Sequence, residues 1–174
     1  MSREIDGPAR ELRRADLAQR IAHARNYDEL FEIIKRVVES EIGKHRAGLS
    51  LVLSDMPNTV GAYHPVGSNV IVVNRALIED MRRFVKNEEE INLFVFTVLM
   101  HEYLHSLGLY DELAVRRTVQ RITRNALGEN HVTVRMAMGD WFQMYPQLAI
   151  SYHKPMNGFE VVEKFDSGST SYLG

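Results

Sequence analysis

The order of patterns along this chain predicts an α+β fold, with helices flanking a short block of strands. Three observations carry that expectation. Two stretches before Gly43 have apolar residues at helical spacing. Between Gly48 and Val73 the segments alternate or run wholly apolar over four to seven residues, as strands do. From Glu88 onward a long run is apolar on nearly every side, as a buried helix is.

In the first helix Pro8 suits the opening turn, and Leu12, Ala15, Leu17, Ala18 and Ile21 form the apolar stripe. Asn26 or Asp28 caps a second helix that runs to about Ile42 and stops at Gly43. Its stripe is Leu30, Phe31, Ile34, Val37, Val38 and Ile42. Residues 1–46 therefore read as an N-terminal helical flank, either packed on the sheet or serving as a pro-segment or docking surface. Gly48–Ser54 is a strand, Asp55–Asn58 a turn and Thr59–His64 a second strand. After a break at His64–Asn69, Val70–Val73 is a short strand with no polar face, hence buried. Asn74 caps a helix from Arg75 to about Val85.

Asn87 caps the long helix, and Glu88, Glu89 and Glu90 complement its dipole. Glu112 to about Ala126 is a further helix, with Leu113, Val115 or Val119, and Ile122 inward and Arg116, Arg117, Arg121 and Arg124 outward. Those arginines are either a solvated face or a basic patch for RNA. Beyond Gly128 the period does not separate strand from helix. The small, polar end of the chain, 160–174, is expected to be mobile.

The 174 residues suit one domain, 1–174, with a proper core. A net charge of −2 argues against a general binder of nucleic acid or anionic membrane. There is no cysteine, so a metal would be held by nitrogen and oxygen ligands. No apolar run reaches membrane-spanning length, and the first residues lack an apolar signal core, so a cytoplasmic protein is expected.

The chemistry concentrates in His101-Glu102-Tyr-Leu-His105-Ser-Leu-Gly108-Leu-Tyr-Asp111. On a helix, His101 and His105 lie one turn apart on one face and reach one ion. Glu102 stands beside the first ligand, where a carboxylate can take a proton from a metal-bound water. Two histidines and a glutamate at the end of a buried helix are costly unless paired or metal-bound. Gly108 is a natural helix stop, after which the chain can return Asp111 as a third ligand. Zn²⁺ suits two imidazoles and a carboxylate, although Fe(II) fits the same donors. The plain alternative is a satisfied pair of core histidines.

This segment resembles the zincin metallopeptidases, and its spacing is similar to the snapalysin-type variant of the metzincins. The resemblance implies a zincin-like single domain, a small twisted mixed sheet packed on a long active-site helix. It implies zinc held by His101, His105 and Asp111, with Glu102 as general base hydrolysing a peptide or protein substrate. A second resemblance, to the small gluzincins, implies Glu112 as third ligand instead, or more distantly Glu129 or His131. The family pattern places a methionine beneath the metal, for which Met156, Met136 and Met138 are candidates. It also allows Tyr152 to stabilise an oxyanion. An edge strand beside the cleft, Thr59–Tyr63 or Val70–Val73, would pair with an extended substrate. His64 is a possible extra contact. Short zincins can be blocked by a terminal segment, so residues 154–165 or the tail are expected in the cleft. Removing residues after 160 would then raise activity. Two rival readings stand beside this one: a metal hydrolase acting on RNA, and a catalytically silent zincin-fold binding protein.

Overall fold

The computed structural model describes residues 6–150 and 158–168. Helices α1 (Asp6–Ala22) and α2 (Tyr27–Ile42) lead into strands β1 (Ser50–Ser54), β2 (Ala62–Tyr63) and β3 (Val70–Asn74). Helices α3 (Arg75–Val85), α4 (Glu88–Ser106) and α5 (Glu112–Leu127) follow, then the short α6 (Val132–Met136), α7 (Trp141–Met144) and α8 (Gln147–Ile150). Strand β4 (Glu160–Val161) closes the sheet. This is a single α+β domain with a mixed four-stranded sheet in the order β2-β3-β1-β4. The inner pair, β1 and β3, is parallel, and β2 and β4 are added antiparallel at opposite edges.

The expected caps form. Asn26 accepts from the Glu29 amide at 2.9 Å, and Gly43 ends α2 at φ +67°. Asn87 accepts from the Glu89 and Glu90 amides at the start of α4. Helix α4 is the axis of the molecule. It packs against α1, α2, α3, α5 and α6 and against β2 and β3. Phe94, Phe96, Leu99, Met100, Tyr103 and Leu104 on it are all buried, which explains why its sequence has no polar side until its ends. Tyr103 meets Phe31 edge to face at 5.2 Å, and its hydroxyl accepts from the Arg46 amide at 2.9 Å. The Arg46 guanidinium donates to the carbonyls of Ser106 and Ser68, both at 2.8 Å. That side chain ties the end of α4 to the loop before β3.

Asn74 is more than the cap of α3. It is wholly buried, and its Oδ1 accepts from the amides of Met56 and Leu77. Its Nδ2 donates to the carbonyls of Met56, Pro57 and Val60. One side chain thus fixes the loop 55–60 that leads into β2.

Several sequence expectations need correction. Leu12 and Ala15 on α1 are exposed, and Leu113 on α5 is exposed. The second strand is only two residues long, because the 55–60 loop is held by Asn74 rather than by a ladder. The segment after Gly128, where the period was undecided, is three short helices. Residues 158–168 do not form a loose tail. Val161 and Glu160 pair with Val52 and Leu53 of β1. Phe165 stacks on Phe31 at 4.5 Å, and Asp166 is buried, accepting from the Leu49 amide and pairing with Lys35. Ser167 donates to Asp28. These residues sit at the β4 edge, the opposite edge of the sheet from β2. No helix among the described residues is long and apolar enough to cross a membrane.

Candidate metal centre

Helix α4 delivers His101, Glu102 and His105 in its last turns, and the chain then turns through Gly108 at φ +97° to start α5. This turn decides which acid faces the histidines. Asp111 is the N-cap of α5, and its Oδ1 accepts from the Ala114 amide at 2.7 Å. Its carboxylate is spent on the helix end. Glu112, one residue on, swings back. Its Oε2 lies 3.1 Å from His101 Nε2 and its Oε1 lies 2.9 Å from His105 Nε2. The gathered set is His101, His105 and Glu112, the alternative acid rather than the first-named Asp111.

The two imidazole Nε2 atoms are 3.2 Å apart. The edge of a tetrahedron with metal–ligand distances of about 2.0–2.1 Å is roughly 3.3 Å, so three donors at these spacings fit one face of such a site. The tautomer supports the same point. His105 Nδ1 lies 2.7 Å from the Leu109 carbonyl, which can only accept, so Nδ1 carries the proton. In that tautomer His105 turns Nε2 toward a carboxylate oxygen and a second Nε2. Burial lowers the pKa of His101, only partly offset by Glu112, and so favours its neutral form too. A convergence of lone pairs requires a cation, either a proton or a metal. Burial raises Glu112, but the two histidines outweigh it and leave its pKa below the ordinary value.

Glu102 is 6 % exposed and faces the same cleft. Burial first, and the Glu112 charge second, push its pKa up to about 8, against a hydrogen bond from the His64 backbone. A carboxylate in this position holds and releases protons near neutrality.

The cleft has a volume of about 230 Å³. It is lined by Thr59–Ala62, by Val98, His101 and Glu102 of α4, and by Glu112 and Arg116 of α5. Met136, Ala137, Gly139 and Trp141 complete it. The Trp141 indole donates to the Asn58 carbonyl at 3.1 Å and lies over Gly61, where an added Cβ would meet the ring at 3.1 Å. Of the methionines named from sequence, Met136 lines the cleft, Met138 is exposed on the surface, and Met156 lies outside the described residues.

The other expected residues fall elsewhere. His64 turns its Nδ1 to the Val70 carbonyl at 2.8 Å, so its backbone rather than its ring serves Glu102. His131 caps α6, bonding Thr133, and Glu129 is exposed; neither joins the cluster. Tyr152 lies outside the described residues. Residues 158–165 are at the far edge of the sheet, so among the described residues no C-terminal segment lines the cleft. From sequence, Arg116 stands only in an outward arginine face, and neither Trp141 nor Gly61 carries a site signal. Only Arg116 had a local signal, as the residue one helical turn after Glu112.

Comparison of the chain with protein families, with curated proteins and with solved structures finds no match.

Proposed function

We propose that this protein is a zinc-dependent peptidase with a zincin-like arrangement, in which His101, His105 and Glu112 hold the metal and Glu102 is the proton carrier. The observation that carries this reading is the meeting of three donor groups at 2.9–3.2 Å with His105 Nδ1 already committed to the Leu109 carbonyl. A glutamate from the following helix fits the small-gluzincin pattern better than the snapalysin-type one.

Zinc held there would supply Lewis acidity, polarising a carbonyl and acidifying a water. Glu102 takes the proton from the attacking water as the new C–O bond forms. It returns that proton to the amine nitrogen as the C–N bond breaks. The apolar walls at Val98, Met136 and Trp141 exclude bulk water and strengthen these exchanges. Strand β2 is the outer strand on the cleft side, which supports an extended chain as the substrate.

The test is metal content by elemental mass spectrometry. About one zinc per chain is expected in wild type and in Asp111→Ala, and little in Glu112→Ala or His105→Ala. Glu102→Gln is expected to keep the metal and lose roughly 10²- to 10⁴-fold in peptide turnover. A metal-free wild type after reconstitution with Zn²⁺, or full turnover in Glu102→Gln, would remove this reading.

A further inference from the structure

The cleft wall formed by α5 carries a cation, and we infer that Arg116 recognises a carboxylate of the substrate within about two residues of the cleaved bond. The inference rests on the peptidase reading above and adds a substrate class to it.

Arg116 follows Glu112 by one turn on the same face of α5 and lines the same cleft. Its guanidinium is packed on Gly139, where an added Cβ would stand 3.5–3.6 Å from Cζ, Nε and Nη2. Gly139 has φ +77°, so backbone conformation and space both favour glycine beneath the fork. Arg116 lines the cleft, and its side chain is 47 % exposed. The paired carboxylate is Glu112 Oε2, 4.0 Å from Nε and too long for a hydrogen bond. That same oxygen is 3.1 Å from His101 Nε2, so its charge is directed at the histidine cluster. A planar, permanently charged fork thus faces the cleft without a close acid of its own there, the arrangement that binds a carboxylate bidentately.

Reach sets the register. Side chains one turn apart on a helix are about 5–6 Å apart at Cβ, and an extended peptide advances about 3.3 Å per residue. A carboxylate meeting Arg116 therefore lies one to two residues from the bond at the histidine cluster. Glu112 is a negative neighbour, so a divalent cation at the cluster is needed before an acidic substrate is welcome. Acid recognition is thus a property of the metal-loaded protein.

The experiment uses zinc-loaded full-length protein and fluorogenic peptides differing at one position, Glu against Gln, within two residues on either side of the scissile bond. A parallel arm compares free and amidated C-termini, so that a side-chain carboxylate is distinguished from a terminal one. The expected result is a roughly ten- to hundredfold higher kcat/KM for one carboxylate-bearing set. Arg116→Gln should level that ratio and Arg116→Glu should invert it toward Lys peptides. Because the ratio is taken within one preparation, partial misfolding of a variant cancels. Turnover without acid preference, or a ratio unchanged in Arg116→Gln, overturns the inference and leaves the peptidase reading standing. If wild type binds zinc and cleaves no peptide, the peptidase reading fails. The carboxylate site is then judged by anisotropy with labelled Glu and Gln peptides: tighter binding of the acid, lost in Arg116→Gln, sustains it, and equal binding overturns it.

Discussion

At the scale of single residues, neighbours in sequence have been given opposite tasks. Asp111 and Glu112 are both acids after the same turn, yet one caps a helix and the other faces the histidines. The longer side chain reaches back, and the shorter one reaches the Ala114 amide. Sequence spacing identifies the pair of acids but not their division of labour, which depends on where α5 begins. His101, Glu102 and His105 were legible because their relation is fixed within one helix, whereas Arg116, Trp141 and Gly61 meet only through tertiary contacts. Asp111→Ala should cost about 1 kcal/mol of stability, as caps do, and leave metal stoichiometry intact. Tyr103 supplies a pH test. Burial pushes its phenol up to about 12, above the ordinary value near 10. Between those values the folded chain keeps a proton that the unfolded chain has lost, so stability falls as pH rises through that window. Urea unfolding at pH 9 and 11 should show a smaller alkaline loss in Tyr103→Phe than in wild type. An equal loss would mean that the phenol does not carry it.

Among the elements, those with their own end signals were legible. Asn26, Asn74, Asn87 and Asp111 cap α2, α3, α4 and α5, and Gly43 and Gly128 follow the ends of α2 and α5. The wholly apolar Val70–Val73 is β3, with Ile71, Val72 and Val73 buried. The elements that escaped are those too short to show a period. Strand β4 is two residues whose conformation comes from pairing with β1, and α6, α7 and α8 have five, four and four residues. These include the 136–141 part of the cleft wall, so the sequence displays the motif without the cavity around it. The loop before β2 depends on Asn74, so Asn74→Ala should cost about 2–4 kcal/mol by leaving several buried polar groups unsatisfied. Chemical denaturation measures it, and a loss near zero would mean that the 55–60 loop finds other partners.

For the whole molecule, residues 158–168 are a structural part of the body. Lys35 and Asp166 are both buried, and Asp166 also takes the Leu49 amide. Asp166→Ala leaves Lys35 with Glu32 alone, at 2.6 Å, and the buried Leu49 amide without its acceptor, and should cost about 1–3 kcal/mol. A chain truncated after residue 158 should accordingly lose stability in thermal melts rather than gain peptidase activity. A truncated chain as stable as wild type, with higher turnover, would overturn this expectation and support self-blocking.

That same ion pair has a consequence for how the chain reaches its fold. Its partners are separated by 131 positions, and β4 follows every helix in chain order. The ordering entropy of this closure falls late, so the step that seats Asp166 is expected to limit refolding. Until it occurs, α2 and the outer edge of β1 are a half-built layer with an exposed seam. Pulse-labelling exchange should find the Leu49 amide protected together with Val162, whose amide donates to Leu51, and not before it. A molecule whose His101, His105 and Glu112 cluster is assembled entirely within residues 101–112 can therefore acquire that geometry early and its lasting grip on the native state only at the end.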